Sequence, residues 1–339
     1  MAVLQNITVA AADAGLRLDR WFKSHYPAVG HGELQKLLRT GQVRVDGKRT
    51  KAGLRLAEGM EIRVPPHARN ADAANSRKVP GKSAVRGRPK TPSVSPEEAT
   101  ELRRRILFRD DEVMVLDKPA GLAVQGGTAT YRHLDGMLDA LRFGATERPR
   151  LVHRLDKDTS GVLVLARTRA AARALTGAFR GREARKLYLA VTVDCPRPRQ
   201  GKISLALAKG GAPGAQRMVA GDGDGARGAD TMYDTLDHAG TKAALVALMP
   251  LTGRTHQLRA HMAAIGTPIL GDGKYGGSKA YMEGLGLEKR IHLHARTIEI
   301  PRPGGGILRA TAPLPPHMAQ AVAAFAFELP EAEDRFPRD

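Results

Sequence analysis

The sequence predicts an α+β protein: a small α/β unit, then a larger domain built on a mixed sheet. Three observations carry that expectation. Strand-like apolar runs and helical stripes alternate irregularly, not in the strand–helix–strand repeat of a doubly wound sheet. Hydrophobic residues make up 42% of the 339-residue chain, enough for sizeable cores in about two domains. Residues 66–96 break the pattern, with almost no large apolar side chains and one acid, Asp72, among many lysines and arginines.

In residues 1–65, Leu16, Leu18, Trp21 and Phe22 form an apolar stripe at helical spacing, interleaved with Asp19, Arg20 and Lys23. A second helix is expected in GELQKLLRTGQ, where Leu34, Leu37 and Leu38 share a face and Gly41 ends the run. VRVDGKRT alternates like a strand pair meeting at Asp46-Gly47, a hairpin signal. EIRVPP is a short strand stopped by two prolines. The 66–96 stretch cannot bury enough surface to fold alone and is expected to be a flexible basic linker, either touching RNA phosphate loosely or merely solubilising. Residues 97–330 form the larger domain. Its strands are expected in EVMVLDKP, GVLVLART, KLYLAVTV, AALVALMP and RTIEI, and its helices over 169–180 and 254–264. Residues 331–339 are expected to be a tail.

The 54 basic and 35 acidic side chains leave a formal charge of +19, which favours a polyanionic partner over ordinary neutral metabolites. Cys195 is the single cysteine, so no internal disulfide forms, which fits a reducing cytoplasm. The N-terminus lacks the charged-then-apolar pattern of a signal peptide. No run approaches the ~18 apolar residues of a membrane span.

Several literal motif matches carry no chemistry. Gly223, Gly225 and Gly228 fit GxGxxG but lack the preceding strand and following helix that would aim a helix N-terminus at pyrophosphate. Asp222 and Asp224 lack the terminal Glu of a calcium loop. His256/His261 and His292/His294 have no metal-site spacing, and there is no Walker loop. Neither a metal nor a nucleotide cofactor is expected.

Three stretches are informative. LVHRLDKDTSGVLVLART (151–168) runs a charged loop with His153, Arg154, Asp156, Lys157 and Asp158 straight into an apolar strand. Such loops present reactive groups, although an ordinary solvated turn with a paired Asp and Arg fits the spacing equally well. LTGRTHQLRAHMAAIGTPILGDGKYG (251–276) places Arg254, Arg259 and His261 on an amphipathic helix, one arginine outward and one inward. An inward arginine calls for a buried carboxylate partner. In KLYLAVTV, Tyr188 is either core or, in a chain with 4% aromatics, a platform for an extruded base.

HRLDKDTSGVLVLA, DKPAGLAVQGG (117–127), KLYLAV and TGRTHQLRAHMAAIGTPILGDGKYG occur in this order and together resemble the RluA/RluC/RluD family of RNA pseudouridine synthases. Residues 1–65 resemble an S4 RNA-binding domain, and DDEVMVLDKPAGLAVQGGT is most like the RluC type that acts on the large ribosomal subunit. The resemblance implies that Asp156 is the catalytic aspartate and that Arg154 helps displace the target base. It implies that Tyr188 packs on the uracil face, that Arg259 pairs with the catalytic carboxylate and that Leu293 lines the uracil pocket. Arg254 and His256 fall on its RNA-binding side, and Arg20, Lys36 and Arg39 are the cations the S4-like unit offers to RNA. The implied partner is large-subunit (23S) ribosomal RNA, bound by a monomer without a cofactor.

Turning uridine into pseudouridine breaks N1–C1′, rotates the uracil and joins C5 to C1′. It needs no redox step and one carboxylate, which either attacks covalently or takes a proton at C2′. An ion pair with Arg259 would favour the charged form of Asp156. Gln125 and Asp194 depart from common family residues, as does the glycine-rich 222–228 insertion, and these departures bear on substrate choice. Two alternatives remain: an inactive RNA-binding or ribosome-assembly factor, and a synthase acting on transfer RNA.

Overall fold

The computed structural model describes residues 5–66, 94–126, 130, 132–210, 217–221, 225–329 and 336. The chain divides into two compact units, Met1–Gly87 and Arg88–Asp339. Nearly all of the expected basic linker, and Asp222, Gly223 and Asp224 of the glycine-rich insertion, lie outside the described residues.

In the first unit, helices Leu18–His25 and His31–Arg39 share one apolar core with a three-stranded antiparallel sheet. Its strands are β1 (Gln5–Thr8), β2 (Arg44–Val45) and β3 (Glu61–Val64), in the order β1-β3-β2. Leu18, Trp21, Phe22, Leu34 and Leu37 are all buried, as their spacing predicts. Asp46 and Gly47 both take positive φ (48° and 71°), as a type I′ turn requires. The return limb nevertheless stops after a single Val45–Lys48 bridge. Asp46 instead bonds Glu61 through both its backbone N–H and its carboxylate, so β2 pairs with β3.

The second unit opens with helix Pro96–Arg104, started by a capping box between Ser95 and Glu98. Its ten-stranded sheet uses β4 (Ile106–Arg109), β5 (Val113–Lys118), β6 (Arg150–Leu151), β7 (Ser160–Ala166), β8 (Arg185–Val193) and β9 (Gln200–Ser204). A hairpin outside that sheet supplies β10 (Leu207–Gly210) and β11 (Arg217–Ala220). The large sheet is completed by β12 (Asp230–Ala239), β13 (Ala243–Pro250), β14 (Leu293–Pro301) and β15 (Ile307–Thr311). The order is β4-β5-β7-β14-β8-β13-β12-β9, with β15 on β14 and β6 on β7. Helices cover both faces. Arg169–Gly181 and Pro316–Ala324 pack against the set that includes Val113, Val164, Leu189 and Leu245. Pro96–Arg104 and Gln257–Ala264 cover the alternate set of Met114, Leu163, Ala190 and Val246. Double coverage explains why β13 is buried at every position and appears in sequence as an unbroken apolar run.

β7 and β14 run parallel at the middle of this otherwise antiparallel sheet, in register at Ser160–His294 and Gly161–Ala295. Gly161 holds φ +106°, and a Cβ there would stand 2.1 Å from the Ala295 carbonyl oxygen. Glycine is therefore required for the two strands to meet where the 152–159 loop enters the sheet. Two expectations are corrected. The helix expected over 254–264 begins at Gln257, because His256 takes a left-handed conformation (φ 52°) just before it. In the expected tail, Phe336 is buried in the core and its carbonyl accepts a 2.8 Å bond from Arg185. Among the described residues no helix is long and apolar enough to cross a membrane.

Candidate active site

The loop between β6 and β7 carries Arg154 and Asp156 between two anchors. Upstream, His153 Nε2 accepts a 2.8 Å bond from the Val164 N–H and its ring stacks on Phe179. Burial, aided by the nearby Lys186 charge, lowers His153 to about 3, so it stays neutral and serves as a peg. Downstream, fully buried Lys118 donates to the carbonyls of Pro119, Leu122 and Lys157 at 2.9–3.0 Å. Burial lowers its ammonium to about 8, against the opposing pull of Asp158, Asp156 and Asp117. Between the anchors Arg154 is exposed, and the Asp156 side chain keeps 19% of its surface open.

The facing wall is the 251–276 stretch. Buried Gln257 fastens it: its Oε1 accepts from Thr252 Oγ1 and the Arg254 N–H, and its Nε2 donates to the Asp230 carbonyl and Thr231 Oγ1. Arg254 stands half-buried with its Nε donating to the Gly228 carbonyl, while Arg259 points inward and is buried. The expected Arg259–Asp156 ion pair is present but loose, because Arg259 has a second, tighter carboxylate partner. Arg259 forks onto Asp272 through Nε–Oδ2 at 2.7 Å and Nη2–Oδ1 at 2.8 Å, leaving Nη1 4.0 Å from Asp156 Oδ2. A guanidinium satisfies one carboxylate with two in-plane bonds and keeps a third N–H direction for another. His256 Nε2 stands 3.9 Å from the same Asp156 oxygen. The turn before Asp272 is as tight as that at Gly161: Gly271 holds φ +79°, and a Cβ would lie 1.7 Å from the Arg290 carbonyl oxygen.

A third wall comes from the sheet. Tyr188 on β8 is in register with Ala295 of β14, which is in register with Gly161 of β7. Burial, reinforced by the charge of Asp156, pushes the Tyr188 phenol up. These walls enclose a cavity of about 310 Å³ whose lining includes Arg154, Asp156, Tyr188, Arg254, His256, Arg259 and Leu293. Seven residues singled out in sequence thus meet in one place. Arg20, Lys36 and Arg39 lie in the first unit, where all three are exposed. A second cavity, about 680 Å³, shares Asp156, His256 and Arg259 and is flanked by Lys157, Lys274, Lys289 and Arg290. Among the described residues no group of three or more His, Cys, Asp or Glu is placed to hold a metal.

Residues 112–264 match the protein family described as RNA pseudouridylate synthase. Over 317 residues the chain is 33% identical to Ribosomal large subunit pseudouridine synthase C of Salmonella typhi, covering 91% of this chain and 92% of that one. The chain belongs to the RNA pseudouridylate synthase family. The protein of the same name from Vibrio cholerae is 32% identical over 94% of this chain and 96% of its own length. Among solved structures, Human RNA Pseudouridylate Synthase Domain Containing 4 superposes with a TM-score of 0.59 at 31% identity, covering 69% of this chain and 97% of that one. This pseudouridylate synthase is therefore an enzyme that isomerises uridine in RNA.

For a pseudouridylate synthase the arrangement supplies one accessible carboxylate, a cation beside it, an aromatic face and an apolar side chain, the parts its reaction needs. Sequence reasoning missed Asp272, Tyr275 and Gln257 as structural members of the site. Asp272 had a signal: an inward Arg259 demanded a carboxylate, and one lay 13 residues on in the same conspicuous stretch.

Proposed function

We propose that this synthase modifies uridine in large-subunit ribosomal RNA, with Asp156 as the reacting carboxylate. The observation that carries the reading is the convergence of Arg154, Tyr188, Arg254, His256, Arg259 and Leu293 on the cavity that holds Asp156. Arg154, exposed at the edge of the anchored loop, enters the stack as the target base leaves. Tyr188 and Leu293 receive the uracil, and Arg254 and His256 hold the RNA side of the opening. Asp156 then either attacks C1′ or takes the C2′ proton. The N1–C1′ bond breaks, the uracil turns, C5 bonds to C1′, and the proton lost from C5 is balanced by one gained at N1. Extrusion costs a few kcal/mol, offset by stacking on Tyr188 and by phosphate contacts.

The large-subunit substrate is supported by the names of the curated relatives, which span nearly the whole chain. The first unit acts as an S4-like RNA-binding domain, supported by the exposed Arg20, Lys36 and Arg39 on its two helices. One chain contributes every wall of the cavity, which supports a working monomer. A reducing cytoplasm suits the single cysteine. The test is pseudouridine formation on separate transcripts of large-subunit ribosomal RNA, small-subunit ribosomal RNA and transfer RNA. Product confined to the first is expected. Product confined to transfer RNA would overturn the substrate, and tight binding without product on any of them would favour an RNA-binding factor.

A further inference from the structure

Tyr275 joins the catalytic cavity to a part of the fold outside the large sheet. Its phenol oxygen accepts a 3.0 Å bond from the backbone N–H of Met218, on β11, and lies 2.9 Å from His256 Nδ1. The hairpin carrying Met218 is seated here by a small apolar cluster of Leu207, Ala229 and Ala260, with Met218 and Tyr275 packed on it. Met218 occupies one acceptor direction of the phenol, and the phenol has one proton to give. If that proton goes to His256 Nδ1, the imidazole carries its own hydrogen on Nε2, facing Asp156 Oδ2 at 3.9 Å. The opposite tautomer would turn an Nε2 lone pair toward a carboxylate and leave the phenol proton without an acceptor among the described residues.

We propose that Tyr275, held by the β10–β11 hairpin, fixes His256 in the tautomer that points an N–H at Asp156, so that both are positioning residues for the reacting carboxylate. This deepens the proposed function and rests on Asp156 being the group that reacts. The charged and titratable groups facing His256 are Asp156 from its loop, Arg259 from the helix, and Asp272, Lys274 and Tyr275 from the following turn. Burial lowers the imidazole below its ordinary 6.5, against the pull of Asp156 and with Arg259 and Lys274 in the same direction, so the neutral tautomer is the one that matters near neutrality.

The test measures kcat and KM across pH for the full-length protein on whichever RNA transcript the wild type modifies. Tyr275→Phe is expected to lower kcat about tenfold at pH 8 with KM within about twofold. That deficit should shrink as pH falls below 6.5, because protonating His256 restores a hydrogen on Nε2 whatever the tautomer had been. His256→Ala should show the deficit at every pH. His256→Gln, whose amide can place an N–H at the Nε2 position, should recover to within about threefold of wild type. A Tyr275→Phe deficit that does not change with pH, or no deficit at all, would overturn the proposal, as would His256→Gln no better than His256→Ala. Asp156→Asn in the same series separates the two levels: turnover by that variant defeats the reading of Asp156 itself, whereas a dead Asp156→Asn beside an unaltered Tyr275→Phe defeats the relay alone.

Discussion

Two aspartates lie against one arginine in this molecule, and they are built oppositely. The Asp272 side chain is 1% exposed and takes both in-plane bonds of the Arg259 fork at 2.7 and 2.8 Å. Asp156 is 19% exposed and has Arg259 Nη1 and His256 Nε2 near one of its oxygens, at 4.0 and 3.9 Å. The first is shut away from solvent and its hydrogen-bonding capacity toward Arg259 is full. The second is held within reach of positive charge and hydrogen-bond donors without being saturated by them. The cation at this site is thus held in place mainly by a carboxylate other than Asp156, the one proposed to react. A buried arginine needs such a partner, and supplying it from Asp272 leaves Asp156 open to the cavity.

The largest effect that would break this comparison is on stability. Asp272→Ala strands the buried Arg259 charge and is expected to destabilise the folded protein by about 3–5 kcal/mol, read as a lower midpoint in urea. A change within about 1 kcal/mol would mean that Asp272 is not the structural partner. A pH-dependent effect, no larger than this for any single residue, comes from the buried histidines around the same sheet. His294 is lowered to about 4 and His153 to about 3, in each case mainly by burial, and His292 and His317 are lowered too. Their folded values lie below the unfolded value near 6.5, so the unfolded chain binds protons first as pH falls. Stability should therefore be complete above about pH 6.5 and decline toward pH 4, by about 3 kcal/mol for His294 alone. Urea midpoints that stay flat between pH 7 and pH 4.5 would contradict this, and would leave Asp272 as the main charged determinant of folding.

Much of this was legible in the sequence because it rests on local regularities. The apolar runs of β5, β7, β8 and β13 are buried on both faces, so each announced itself without reference to partners. β12 did not. Asp230, Asp234 and Asp237 interrupt Met232, Tyr233 and Leu236 without an apolar run or a clean alternation, and only its pairing with β13 and β9 makes it a strand. Asp46-Gly47 formed the turn its sequence calls for, yet the pairing of β2 went to β3, a choice set by tertiary contacts. The same divide runs through the site. Arg154, Asp156, Tyr188, Arg259 and Leu293 were recognisable from motifs that resemble a known family. Which carboxylate Arg259 grips depends on Gly271 bringing the chain to within contact of Arg290, a close approach that sequence spacing alone does not reveal. His256 stood in the middle of a motif, but its left-handed backbone and its bond to Tyr275 are products of the fold.

The division of labour between the two aspartates is tested most directly by one substitution. Asp156→Asn should be assayed for pseudouridine formation, RNA affinity and thermal midpoint on the same preparation. The expected result is turnover lower by at least about a thousandfold, with affinity within about threefold and a midpoint within a few degrees of wild type. Measurable pseudouridine formation by that variant, or loss of folding in place of loss of turnover, would contradict the assignment of Asp156 as the open, reacting acid and Asp272 as the closed, structural one.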